Sequence, residues 1–129
     1  MYAHLRVARA TDQLEQVVKF YRDGLGFEVI GSFTDHDGFD GVMLGHPHAQ
    51  YHLEFTRQHG FIAGSAPAAE NLLVFYLPDE NKWQTAVQRM IDQGHDPIPS
   101  HNPYWDHRGK TFEDCDGYRV VLQNAEWEN

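Results

Sequence analysis

The chain has 129 residues, 41% of them hydrophobic and 13% aromatic, which is the size and composition of one compact domain with a real core. Ten Lys and Arg against 19 Asp and Glu give a formal charge of -9, which opposes binding to nucleic acid or to an anionic membrane surface. The lone Cys115 excludes an internal disulfide, no basic segment with an apolar stretch opens the chain, and no apolar run reaches membrane-spanning length. A cytoplasmic protein with no nucleic-acid or membrane partner is expected.

The first strand alternates Leu5 and Val7 with His4, Arg6 and Ala8. Asp12, with Glu15 three residues on, reads as a capping box, and Leu14, Val17, Val18, Tyr21 and Leu25 form the apolar stripe of a helix ended by Gly24 and Gly26. Phe27 to Phe33 reads as a strand, His36-Asp37-Gly38 as a turn, and Phe39 to Gly45 as the antiparallel partner. In Tyr51 to Thr56, Leu53 and Phe55 alternate with His52, Glu54 and Thr56, so Glu54 points away from the core.

Gly60, Gly64, Ser65 and Pro67 mark a linker, and the pattern then restarts. Asn71 to Leu77 is a strand, and Pro78-Asp79 opens a helix with Trp83, Ala86, Val87, Met90 and Ile91 on its apolar stripe and Gly94 at its end. A turn-rich loop from Pro97 to His107 precedes strands near Lys110 to Glu113 and from Tyr118 to Gln123, joined by the Asp114-Cys115-Asp116-Gly117 turn. The two strand-to-helix starts lie roughly 66 residues apart, an internal duplication. Each half is expected to hold one sheet face under its helix and one face free, and two free faces side by side would form a cup for a small ligand.

Phe20-Tyr21-Arg22-Asp23-Gly24-Leu25-Gly26-Phe27-Glu28-Val29 after the first helix, and Asp114-Cys115-Asp116-Gly117-Tyr118-Arg119 before the last strand, carry a resemblance. Over residues 4 to 124 the chain resembles the vicinal oxygen chelate superfamily, which includes glyoxalase I, extradiol dioxygenases, fosfomycin resistance enzymes and bleomycin resistance proteins. The resemblance implies an α+β fold of two tandem βαβββ modules, residues 4–57 and 71–124 joined by linker 58–70, within a single domain 1–129. It also implies a homodimer and a small-molecule ligand, and one fold hosts several chemistries. In metal-using members one ligand comes from each of four strands. Those positions fall here on Arg6, Glu54, Leu72 (with Asn71 its polar neighbour) and Val121, so only Glu54 is retained.

Because guanidinium has no lone pair to give, the expectation is a site with no metal cofactor in which Arg6 takes the cationic role opposite Glu54. Arg6 and Glu54 are then the candidate catalytic pair, and Arg6 the contact for a ligand carboxylate or phosphate. His4 and His52 share their faces and are candidate lining or proton-transfer groups. Leu72, Val74 and Val121 would give the second half an apolar lining, and Tyr104 and Trp105 either cover a ligand or close the core. The favoured ligand is a small, anionic amphiphile.

Two alternatives stand beside that reading. One is a metal-dependent lyase or dioxygenase using a divalent ion on Glu54 with His4 or His52, and the other is an interaction module whose cup is filled by its own side chains. His46, His48 and His52 form an H-x-H-x3-H pattern, either a zinc or nickel site or incidental. Cys115 between two carboxylates reads as structural, with a raised pKa.

Overall fold

The computed structural model describes residues 1–127, and these form two compact units, Met1–Gly64 and the chain from Ser65 onward. In the first unit β1 (Leu5–Ala10), β2 (Glu28–His36), β3 (Phe39–Gly45) and β4 (Tyr51–Gln58) make one sheet in the order β1-β4-β3-β2. β1 runs parallel to β4, and the remaining pairs are antiparallel. The β2–β3 hairpin turns on Asp37 and Gly38, whose φ angles of 52° and 86° suit the twist of a two-residue hairpin loop.

Helix α1 (Leu14–Lys19) continues into a π-helical turn, Phe20–Gly24, in which Leu25 N–H donates to the carbonyl of Phe20. Gly26, at φ 84°, lets Phe27 N–H reach back to the carbonyl of Tyr21 and stop the helix. The widened turn buries both Phe20 and Tyr21, and Tyr21 stacks at 4.8 Å on Phe55 of β4. Val17, Leu44 and Leu53 are buried in the same unit.

The expected capping box is absent. The residue before α1 is Gln13, with no side-chain cap, and its N–H is taken by the Thr11 hydroxyl at 3.0 Å. Asp12 instead accepts from the backbone N–H groups of Ala63 at 2.8 Å and Gly64 at 3.1 Å, tying down the end of the unit.

In the second unit β5 (Leu72–Tyr76), β6 (Gly109–Glu113) and β7 (Arg119–Gln123) form a sheet in the order β5-β7-β6, with β5 and β7 parallel. Helix α2 (Glu80–Asp92) is capped by Asp79, which accepts from Lys82 N–H at 3.0 Å. Its Trp83 donates from Nε1 to the carbonyl of Leu122 at 2.8 Å, pinning the helix to the central strand. Met90, Phe112, Val120 and Leu122 are buried there.

Where the first unit has β2, the second has a single bridge from Ile98 to Thr111. Pro97 and Pro99 flank Ile98 and have no N–H to give, so a ladder cannot extend in either direction. The stretch read as loop also holds one turn of helix, α3 (Tyr104–His107). Among the described residues no helix is long and apolar enough to cross a membrane.

Candidate functional site

The parallel register of β1 and β4 sets Arg6 beside His52 and Ala8 beside Glu54. Burial of Leu53 and Phe55 on one face of β4 sends His52 and Glu54 to the other. Four side chains meet there. Arg6 Nη1 donates to Glu54 Oε2 at 3.3 Å, Arg6 Nε donates to His52 Nε2 at 2.8 Å, and His52 Nδ1 lies 2.6 Å from His4 Nε2.

These contacts fix the protons. Since Nε2 of His52 receives a hydrogen from an arginine that stays charged, it must carry a lone pair, and a neutral imidazole then has its single hydrogen on Nδ1. His52 Nδ1–H therefore donates to Nε2 of His4. The chain of donors runs from Arg6 through His52 to His4, with Glu54 holding the other side of the guanidinium. Partial desolvation, and then the charge of Arg6, lower the pKa of His52, in keeping with a neutral ring.

Arg6 spends two of its five N–H groups on this arrangement, and its side chain is 49% exposed, against 13% for Glu54. The remaining donors face outward. An ion pair with one partner so exposed contributes less than about 1 kcal/mol to stability, below the scale of a fully buried pair.

The floor beside Glu54 comes from β3 and β2. Met43 is directly opposite Glu54, and Gly45 opposite His52. A Cβ on Gly45 would sit 2.9 Å from the Cβ of His52, one on Gly31 would sit 2.7 Å from Cε of Met43, and one on Gly41 would overlap the tip of the Phe33 ring at Cζ. Three glycines thus let Met43, Phe33 and His52 lie down on the sheet. The result is a polar cluster at β1 and β4 that continues into an apolar strip at β3 and β2. Met43, Phe33 and the glycines were not singled out from the sequence, although Gly41 and Gly45 alternate with it at period two.

Among the other sequence candidates, Tyr104 is exposed on α3, with its ring edge-on to Trp105 at 4.9 Å. Leu72 and Val74 are half-buried on β5, and Val121 is wholly buried on β7, the central strand of its sheet. The three histidines of the H-x-H-x3-H pattern separate: His46 lies 5.4 Å from the Phe27 ring, His48 is exposed, and His52 joins His4 and Arg6. Cys115 is exposed, and partial burial with the neighbouring Asp116 and Asp114 pushes its thiol up to about 11.

Of the four positions to which the resemblance assigns metal ligands, only Glu54 carries a side chain that could ligate. Arg6 donates where a ligand would have to accept, Leu72 and Val121 have no donor atom, and both nitrogens of His52 are engaged. Among the described residues no three His, Cys, Asp or Glu side chains gather as a metal-holding group.

Residues 5–56 match the family described as YycE-like N-terminal domain, and residues 70–124 the YycE-like C-terminal domain. The uncharacterized protein YycE of Bacillus subtilis is 43% identical over 123 residues, 95% of this chain and 88% of its own. The crystal structure of a Bacillus subtilis YycE protein superposes with a TM-score of 0.91 at 41% identity, over 99% of this chain and 93% of that one. Glyoxalase I of Leishmania major shares the fold at 20% identity and a TM-score of 0.72, over 97% of this chain and 88% of its own. A fosfomycin resistance protein of Mesorhizobium loti shares it at 12% identity and 0.68, over 94% and 90%.

Proposed function

We propose, since this chain belongs to the YycE-like family within the vicinal oxygen chelate superfamily, that its first unit binds a small amphiphilic anion on the open face of the β1-β4-β3-β2 sheet. One observation carries the reading: Arg6 is held from two sides by Glu54 and His52 and still points free N–H donors outward. A carboxylate or phosphonate takes those donors in a bidentate contact. The apolar part of the ligand then lies over Met43 and Phe33, the floor that the glycines leave open.

Glu54 and His52 act as positioning residues for Arg6 in binding. With both nitrogens of His52 engaged, a proton taken from a bound ligand at this face would go to the Glu54 carboxylate, which is the form a metal-free reaction would take there. Assembly into a homodimer belongs to the same proposal.

The test is calorimetric titration of butylphosphonate, with butanol as the uncharged control. Wild-type protein is expected to bind the phosphonate and not the alcohol, and Arg6→Gln to lose at least about tenfold in affinity, or 1.4 kcal/mol. Equal affinity in Arg6→Gln would refute the assignment.

A further inference from the structure

We propose that the first unit binds an apolar α-amino acid in a slot between α1 and β3, on the sheet face opposite to Arg6. A cavity of about 400 Å³ there is lined by Leu14, Glu15, Val18, Lys19 and Arg22 of α1 and its π-helical turn, and by Val42 of β3. That volume falls within the range of small-molecule clefts.

The slot follows from how the helix sits on its sheet. Val17 and Tyr21, one turn apart, are 0% exposed, and the Tyr21 ring stacks on Phe55 of β4. Val42 is paired with Phe55, so it shares the face that α1 covers, whereas Arg6 and Glu54 lie on the other. Beyond β3, strand β2 is left uncovered on that face: Ser32, directly opposite Val42, is exposed, and Val29 is 46% exposed. Leu14 and Val18, at i and i+4 beside the Val17 and Tyr21 stripe, therefore wall one side of a slot whose floor is Val42. Leu14 and Val42 are only half-buried, and a branched aliphatic side chain laid between them removes that surface from water.

The rim matches both charges of a zwitterion. Glu15 and Lys19, again at i and i+4 and both exposed, have Cβ atoms about 5–6 Å apart, so one amino-acid headgroup can reach the two. Neither forms an ion pair with any described residue. The third charge on the rim, Arg22, is engaged by Asp23, which it meets through Nε at 2.9 Å and Nη2 at 3.1 Å. An α-carboxylate on Lys19 and an α-ammonium on Glu15 then leave the side chain pointing down the slot. A plain carboxylate would meet Glu15 as a like charge, and a plain amine would meet Lys19 as one. The zwitterion carries no net charge, so the formal charge of -9 on the chain does not repel it.

The site shares no residue with the Arg6, His52 and Glu54 cluster, and each can fail without the other. The test is a titration of L-leucine followed by NMR at the Val18 and Val42 methyl groups. A saturable shift at both is expected, weakened at least about tenfold in Glu15→Gln and in Lys19→Gln. A similar loss is expected when the probe is leucinamide, which lacks the carboxylate, or 4-methylpentanoate, which lacks the ammonium. Arg6→Gln leaves the leucine affinity as it was. Glu15 and Lys19 are exposed, so both variants are expected to fold. The proposal is overturned by the absence of a shift at Val18 and Val42, by unchanged affinity in either slot variant, by either analogue binding as well as leucine, or by a loss of leucine affinity in Arg6→Gln.

Discussion

Arg6 Nε donates to Nε2 of His52 at 2.8 Å, and this single bond fixes the charge and the tautomer of the ring. A protonated His52 would turn an N–H toward an N–H, so the imidazole resists protonation while the arginine stays in place. Desolvation and then Arg6 hold its pKa below the ordinary value of 6.5. Histidine NMR is expected to show the Nδ1–H tautomer at neutral pH and a midpoint below the usual range. The unfolded chain then binds the proton first, so this contribution to stability is complete above about pH 6.5 and is lost as pH falls through the folded midpoint. Arg6→Gln moves the midpoint only part of the way back, because burial is the larger cause. A midpoint at or above the ordinary one would remove the neutral ring from the account.

Gly45 is where the sheet makes room for His52. Adding a methyl group places a Cβ 2.9 Å from that of His52 and 3.5 Å from its Cα, so the neighbouring strands must part. Gly45→Ala is expected to cost about 1–3 kcal/mol in denaturant unfolding and to weaken butylphosphonate binding by displacing the ring that holds Arg6. Gly60→Ala, with open space around its Cβ but φ of 80°, serves as the comparison that strains backbone without touching the site. Loss of stability with full affinity in Gly45→Ala would separate His52 from anion binding.

The alternation of Tyr51 to Thr56 made the orientation of Glu54 and His52 legible from the sequence, and the same alternation in β1 placed His4 and Arg6. What was missed depended on partners distant in sequence. Asp12 looked like a helix cap because Glu15 lay three residues on, but the Thr11 hydroxyl took the local N–H, and Asp12 bonded to Ala63 and Gly64, fifty residues away. The floor of Met43 and Phe33 needed the register of β2 on β3, including its bulges, which no local pattern encodes. The shortened sheet of the second unit could have been read from Pro97 and Pro99 on either side of Ile98.

Asp12 gives its own prediction. Two backbone donors, first Ala63 and then Gly64, lower its pKa below the ordinary 3.8, so the tie is complete above that value and loosens as pH falls through the lowered one. Hydrogen exchange at the Ala63 and Gly64 amides is expected to accelerate in Asp12→Ala at neutral pH, with the anion affinity of Arg6 unaffected. Unchanged exchange at both amides would show that the tie contributes nothing.

Cys115 is exposed yet unreactive on this account, since its thiol is pushed up to about 11. Nucleophilic attack requires the thiolate. Alkylation by iodoacetamide is expected to be slow at pH 8 and to rise steeply only toward pH 11. A midpoint near the ordinary thiol value would mean that neither partial burial nor the neighbouring Asp116 and Asp114 act on it.

The most direct test of the claim that Arg6 takes the place of a metal ion is butylphosphonate affinity measured on one preparation before chelation, after exhaustive chelation, and after addition of manganese(II). The account predicts the same affinity in all three states. Binding that disappears with the chelator and returns with manganese would contradict it and place a metal ion, not the Arg6 guanidinium, at the centre of recognition.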